Sequence, residues 1–311
     1  MSIFYAPFGW ILSWCYEIVG NYGWSLVLFT VLTRFIMIPL AISQQKGMAK
    51  QARLQPKIKK IQQRYAGNQQ KINEEMNALY QREGANPLGA GCLPLAIQFP
   101  IMIGLYGVIY RPLSYVLHLP KETVEVLTTA VQKIAGEASG RAASAIELSV
   151  INHAHNQKFI EDLSGLVSGD VIEKLQNFDF TFLGINMAQT PDYKVLNLLW
   201  LIPILSGVTS LMTSALSYMR QRKTNPEMSK NPAMGCMSFG MPLFSVYIAF
   251  QFPAGIGIYW TMSNLFMFFQ TLIIGHTHSP KNVLAKVMIE ETIERRSMEN
   301  NLKLVAGKKE N

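Results

Sequence analysis

The chain has 311 residues and a formal net charge of +8, yet only 15% of its residues are charged, well under the roughly 25% of ordinary soluble domains. Five apolar blocks, 24–42, 91–109, 196–216, 234–250 and 253–274, together hold 98 residues and one Asp, Glu, Lys, Arg or His, namely Arg34. A bilayer demands about 17–25 apolar residues of a spanning helix, so a soluble globular enzyme is excluded as the leading reading. The basic excess then need not be a nucleic-acid footprint, because membrane proteins place basic residues for another reason, and no DNA partner is expected.

In chain order, residues 1–23 come first. The stretch 3–19 is apolar and aromatic, with Glu17 near its end. It reads as an amphipathic helix at the outer interface, where Trp10, Trp14 and Tyr16 suit the headgroup level; a sixth membrane segment is the alternative. No basic residue precedes Arg34, so neither a cleaved signal peptide nor an Arg-rich transit peptide is expected. Block 24–42 reads as the first span. The connection 43–90 reads as a helical hairpin over 43–83: Leu54, Ile58, Ile61 and Tyr65 share one helical face, and Ile72, Met76, Leu79 and Tyr80 another, on either side of Ala66-Gly67-Asn68. Its outward face carries Lys46, Lys50, Arg53, Lys57, Lys59, Lys60 and Arg64. Such a face is solvated, or attracts anionic headgroups or ribosomal RNA. Pro56 should kink or interrupt the first of the two helices.

Block 91–109 reads as the second span. The region 110–195 carries expected helices around 121–135 and 142–162, then a mixed stretch 178–186, and reads as a cap over the outer ends of the spans. Blocks 196–216, 234–250 and 253–274 are the third to fifth spans. Only Gln251 and Phe252 separate the last two, which must form a tight helical hairpin. The tail 275–311 alternates charge with apolar residues from Pro280 and reads as a solvated helix out to about Leu304. Cys15, Cys92 and Cys236 form no CxxC pair, so no disulfide framework or zinc site is argued. No cofactor is expected either.

The connections 43–90, 110–195 and 217–233 carry +6, −3 and +3, and the tail carries +2. Under the positive-inside rule the first, the third and the tail are cytoplasmic, which puts the N-terminus and region 110–195 outside. The expected fold is therefore an all-α polytopic membrane protein with five transmembrane helices and a cytoplasmic helical hairpin.

Arg34 lies about ten residues into the first span, near mid-depth. A guanidinium there costs at least ~2.5–3.5 kcal/mol and does not deprotonate. No span contains a carboxylate to pair with it. It must then face protein or a water-filled cavity. Thr30 lies one turn away, Gln98 sits in the second block, and Ser206, Ser210, Thr213 and Ser217 make a stripe in the third. Tyr259, Ser263 and Gln270 share a face of the fifth, with Trp260 and Asn264 beside them. The stripe in the third block also fits close packing of helices through small residues. For Gln98, Asn264 and Gln270 an interhelical hydrogen bond is the alternative. A secondary transporter would also carry a mid-membrane charge, but inverted repeats and intramembrane carboxylates for coupling are not visible. An intramembrane protease is the other rival, but HExxH is absent and all five histidines lie outside the blocks.

The runs T-R-F-I-M-I-P-L (33–40), L-Q-P-K-I-K (54–59), N-P-L-G-A-G-C-L-P-L-A-I-Q-F-P-I (86–101), F-L-G-I-N (182–186) and Q-F-P-A-G-I-G-I-Y-W-T-M-S-N-L-F (251–266) stand in this order along the chain. As a set they resemble the YidC family of membrane protein insertases, with relatives in mitochondria and chloroplasts, over about 24–274. The resemblance implies five helices around a hydrophilic groove open to the cytoplasm and to lipid. It places the family's groove arginine at Arg34 and its polar groove positions at Thr30, Gln98, Tyr259, Trp260 and Asn264. It makes the basic hairpin a mobile element needed for activity. It implies a nucleotide-independent, non-enzymatic insertase in a bacterial plasma membrane. Nascent membrane proteins would be its substrates, and the Sec translocon, the ribosome and membrane lipids its partners. Neither the large folded outer domain of Gram-negative members nor the lipoprotein start of many Gram-positive members is expected, and region 110–195 is longer than in compact members.

Overall fold

The computed structural model describes residues 2–84, 93–135, 145–224 and 232–277, and from the tail 285, 288, 289, 292, 293 and 295–299. It is mostly helical: α1 (Ser2–Val19), α2 (Tyr22–Ile36), α3 (Ile38–Arg64), α4 (Gln69–Arg82), α5 (Leu93–Tyr110), α6 (Pro112–Tyr115), α7 (Lys121–Ala135), α8 (Ile146–His153), α9 (Gln157–Leu163), α10 (Gly169–Gln176), α11 (Leu201–Thr224), α12 (Pro232–Ala249) and α13 (Ala254–Thr277). One departure from an all-α chain is a two-stranded antiparallel ribbon, β1 (Thr181–Phe182) and β2 (Ile185–Asn186). Two compact units are distinguishable: 1–36 with 97–218 and 232–268, and 37–96 with 219–231 and 269–311.

The first apolar block is two helices rather than one. Helix α2 stops at Ile36 and α3 starts at Ile38. Pro39 accounts for the break: it has no N–H to return to the Phe35 carbonyl, and it sits in the first turn of α3, where no such bond is needed. Arg34 thus lies in the last turn of α2, where the negative end of the helix dipole favours a cation, rather than in the middle of an unbroken span.

In the larger unit, α1 packs along α2, and both share one apolar core with region 110–195. Leu12 and Cys15 of α1, Leu26 and Phe29 of α2, Leu105 and Ile109 of α5, Leu127 of α7, Leu148 of α8, Phe159 and Leu163 of α9 and Leu175 of α10 are all buried in it. The described residues of 110–195 are therefore folded into the unit. The expected helix 142–162 is two helices parted near Asn156, whose side chain accepts from the Phe159 N–H at 3.3 Å and caps α9; 142–144 lie outside the described residues. Helix α1 is pinned by Ser13 Oγ, which donates to the Val116 carbonyl at 3.0 Å. Its opposite face leaves Trp10, Trp14 and Ile18 exposed at i, i+4, i+8 spacing.

The tight connection between α12 and α13 is present at 250–253. Two unpaired N–H groups of the first turn of α13 find carbonyls in the outer region, Ala254 on Gln189 at 2.8 Å and Gly255 on Met187 at 3.0 Å. Helices α11, α12 and α13 approach closely through glycine: a Cβ at Gly207 would overlap Val246 Cγ2, and one at Gly257 would overlap Ile202 Cγ2. Ser206 and Thr213 are buried, and Thr213 Oγ1 donates to the Asn264 carbonyl at 3.1 Å. These residues behave as interhelical packing and glue.

The outward faces of these helices are apolar. On α11, Ile204, Leu205, Val208, Leu211 and Met212 are exposed, and on α12 so are Leu243, Phe244 and Tyr247. Among the described residues one helix, Leu198–Arg222, is long and apolar enough to cross a membrane, and most of its apolar stretch is not buried. The pair Tyr22–Ile36 and Ile38–Gln44 passes if its break is bridged, and Phe99–Tyr110 and Ser238–Ala249 are shorter apolar helices. A soluble protein's core helix would bury most of that surface; this arrangement is inside-out, as lipid contact requires.

The second unit contains the hairpin α3–α4. Leu54, Ile58 and Ile72 are buried between its arms, which is the zipped face read from the sequence. Asn68 accepts from the Lys71 N–H at 3.1 Å and caps α4, and Gly67 supplies the left-handed turn residue at φ +89°. The expected interruption at Pro56 does not occur, since α3 is continuous from Ile38 to Arg64. Pro56 is exposed, so the carbonyl it cannot reach lies on the solvated side, where water satisfies it.

Candidate functional site

Arg34 is half-buried and donates through Nη2 to the Ser263 hydroxyl. Among the described residues no carboxylate pairs with it. Ser263 and Tyr259 are one turn apart on α13, and both are buried. These three side chains are the centre of the site. The cation is held by a neutral hydroxyl, and a guanidinium carries five donors where this bond uses one.

The other expected positions are distributed differently. Thr30 is fully buried, and its hydroxyl donates back to the Leu26 carbonyl at 2.7 Å. Trp260 sits edge-on to Phe252, ring centroids 6.2 Å apart, in an aromatic group with Tyr106. Asn264 is half-buried, and its carbonyl receives Thr213. The side chain of Gln98 lies outside the described residues, as do residues 86–92 of its motif. The pairing of Arg34 with Ser263, 229 positions apart, had no sequence signal beyond Ser263 sharing a face with Tyr259.

On the hairpin, Lys57 donates to Glu83, and this bond holds the Glu83 carboxyl below the usual range, with Arg53 adding to the field. Lys57 and Arg53 therefore serve the hairpin itself. Lys59, Lys60 and Arg64 are exposed, with Arg64 over the Tyr65 ring at 5.8 Å. The side chains of Lys46 and Lys50 lie outside the described residues. Elsewhere in this unit Arg220 crosses to the end of α13, donating to the Thr271 and Leu272 carbonyls beside Gly275, where any side chain would collide with the guanidinium.

In region 110–195 Glu147 is buried, accepting from the Ser114 N–H at 3.1 Å and the Ser114 hydroxyl at 2.6 Å. Burial pushes its carboxyl above the ordinary range, against the pull of those bonds and of Arg111. No cluster of His, Cys, Asp and Glu able to hold a metal occurs among the described residues.

A family model described as the 60Kd inner membrane protein matches residues 14–281. The chain is 31% identical to a membrane protein insertase YidC of Pediococcus pentosaceus, over 82% of this chain and 67% of the relative. It is 26% identical to YidC 2 of Listeria innocua, over 92% of this chain and 76% of the relative. With the YidC of Granulibacter bethesdensis it shares 30% identity over 90% of this chain, which spans 39% of that longer protein. The family model covers most of the chain and the relatives agree with it: the chain belongs to the YidC family of membrane protein insertases.

Proposed function

We propose that this protein inserts membrane proteins into a bacterial plasma membrane through a hydrophilic groove centred on Arg34. The observation that carries this reading is a guanidinium in an apolar unit, bonded to the Ser263 hydroxyl with no carboxylate in reach among the described residues. The secondary-transporter reading is set aside, since the relatives are named insertases and no intramembrane carboxylate is available for coupling.

In the proposed mechanism five spans surround the groove, with the N-terminus outside and the C-terminus in the cytoplasm. A nascent chain, delivered by a ribosome or the Sec translocon, first meets the basic hairpin at Lys59, Lys60 and Arg64. Its short polar tail then enters the groove, where water and the guanidinium replace bulk solvation. Moving a charged residue to the middle of a bilayer costs ~2.5–3.5 kcal/mol on insertion scales. A wet, positively charged half-path removes part of that barrier, most of all for an acidic tail. The hydrophobic segment leaves past the apolar faces of α11 and α13 into lipid, and its burial drives the net step. No nucleotide is consumed, in keeping with the absence of a GxxxxGK[ST] motif.

The test is reconstitution in liposomes with single-span substrates bearing acidic or neutral tails. Wild-type protein should insert both, and Arg34→Ala should lose the acidic-tailed substrate first. Absence of insertion by wild type refutes the function. Full activity of Arg34→Ala on the acidic tail refutes the role of the arginine.

A further inference from the structure

The ribbon β1–β2 breaks a local rule. Its strands pair Thr181 with Asn186 and Phe182 with Ile185, leaving the two-residue tip Leu183-Gly184. Both tip residues have positive φ, +51° at Leu183 and +79° at Gly184. Such hairpin tips favour Asn-Gly or Asp-Gly, because asparagine and aspartate tolerate the left-handed region and leucine does not. Leu183 is also 73% exposed. The side chain suits neither the backbone beneath it nor the protein around it, and strain of this kind persists where it serves something else.

The placement of the ribbon says what that is. Asn21, just before α2, donates to the Asp179 carboxylate at 2.6 Å and to the Thr181 carbonyl at 3.0 Å. The Tyr22 N–H donates to the Asp179 carbonyl at 3.0 Å. One step further along both chains, Phe182 lies so close to Gly23 that a Cβ there would come within 2.5 Å of its ring. The same ring meets Trp24 edge-on at 5.3 Å. The ribbon therefore runs alongside the first turn of α2 in the same direction, and its tip reaches the level of Trp24, itself 51% exposed. Tryptophan at the end of a membrane helix marks the headgroup level. Residues 180–191 carry no charged side chain, although the outer region around them is rich in both signs. The one carboxylate at the ribbon's base, Asp179, is occupied: burial raises its pKa, but the bonds from Thr181 and Asn21 prevail and hold it below the usual range.

We propose that the ribbon tip is a lipid anchor. Leu183 enters the headgroup–acyl boundary of the outer leaflet beside Trp24, and the strained turn is kept because it aims a leucine at lipid. This fixes the depth of the outer region against the first turn of α2. The inference rests on reading α2 as a membrane segment with its N-terminus outside.

The experiment places an environment-sensitive NBD probe at Leu183→Cys, with Cys92 and Cys236 replaced by alanine and the buried Cys15 retained. The full chain is reconstituted in phosphatidylcholine–phosphatidylglycerol vesicles containing lipids brominated near the top of the acyl chains. Val208→Cys on the apolar face of α11 and Lys121→Cys on α7 serve as lipid and water references. The expected result is blue-shifted emission at 183, quenched by bromine as at 208. Quenching at 208 with water-like, unquenched emission at 183 overturns the anchor and leaves the membrane reading intact. No quenching at 208 overturns both. Leu183→Asn supplies a second readout: the unfolding midpoint in detergent should hold or rise, because asparagine suits the turn. A lowered midpoint would make Leu183 part of the protein's own packing and overturn the proposal.

Discussion

The contact between α11 and α12 predicts a reversal of sign. In a helix interior Gly→Ala stabilises by up to ~1 kcal/mol through propensity alone. At Gly207 the new methyl would overlap Val246 Cγ2, and overpacking costs about 1–3 kcal/mol. Gly207→Ala should therefore destabilise the wild type by roughly 0–2 kcal/mol, overpacking less propensity. Val246→Ala removes Cγ2 and leaves Cβ at 3.9 Å from the added methyl, an ordinary carbon–carbon contact. In that background Gly207→Ala should stabilise by about the propensity value of ~1 kcal/mol. The double-mutant cycle then reads a coupling of about 1–3 kcal/mol. Unfolding of the purified protein in mixed micelles, titrated with a denaturing detergent, measures all four corners. Additive effects, or stabilisation by Gly207→Ala in the wild type, refute the close approach. Gly257 and Ile202 form an equivalent pair, with Ile202 Cβ at 3.8 Å from the built methyl.

Two further outcomes concern the hairpin and region 110–195. Asn68→Ala removes the cap of α4 and should lower hairpin stability by ~1 kcal/mol, read as faster amide exchange over 69–82; unchanged protection there would show that the cap contributes nothing. Glu147 carries a folded-state pKa raised by burial. Its relative stabilisation is complete below the ordinary carboxylate value of about 4.3 and is lost as pH rises through the raised value. The unfolding midpoint should fall over that window in wild type and flatten in Glu147→Gln; an unchanged slope in the variant would assign the pH dependence to another group.

Much of the helical plan was legible because it is local. The apolar faces of the hairpin, its turn at Ala66-Gly67-Asn68 and Arg34 as the lone charge follow from side-chain type and helical period. The break at Met37 was legible in principle, from Pro39, but a 19-residue apolar run masked it. Proline at 56 misled in the opposite direction, because a helix tolerates it on a solvated face.

The sequence by itself determined that this chain meets lipid and that one cation lies in its apolar part, since 98 residues with a single charge leave no other solvent for them. The tertiary structure decided what surrounds that cation. Only folding brings Ser263 to Arg34, sets Gly207 and Gly257 where helices nearly touch, and joins the outer region to α1 and α2 in one core. Composition and period describe a helix and its faces. Which faces meet depends on shape, and shape arises only when distant segments pack.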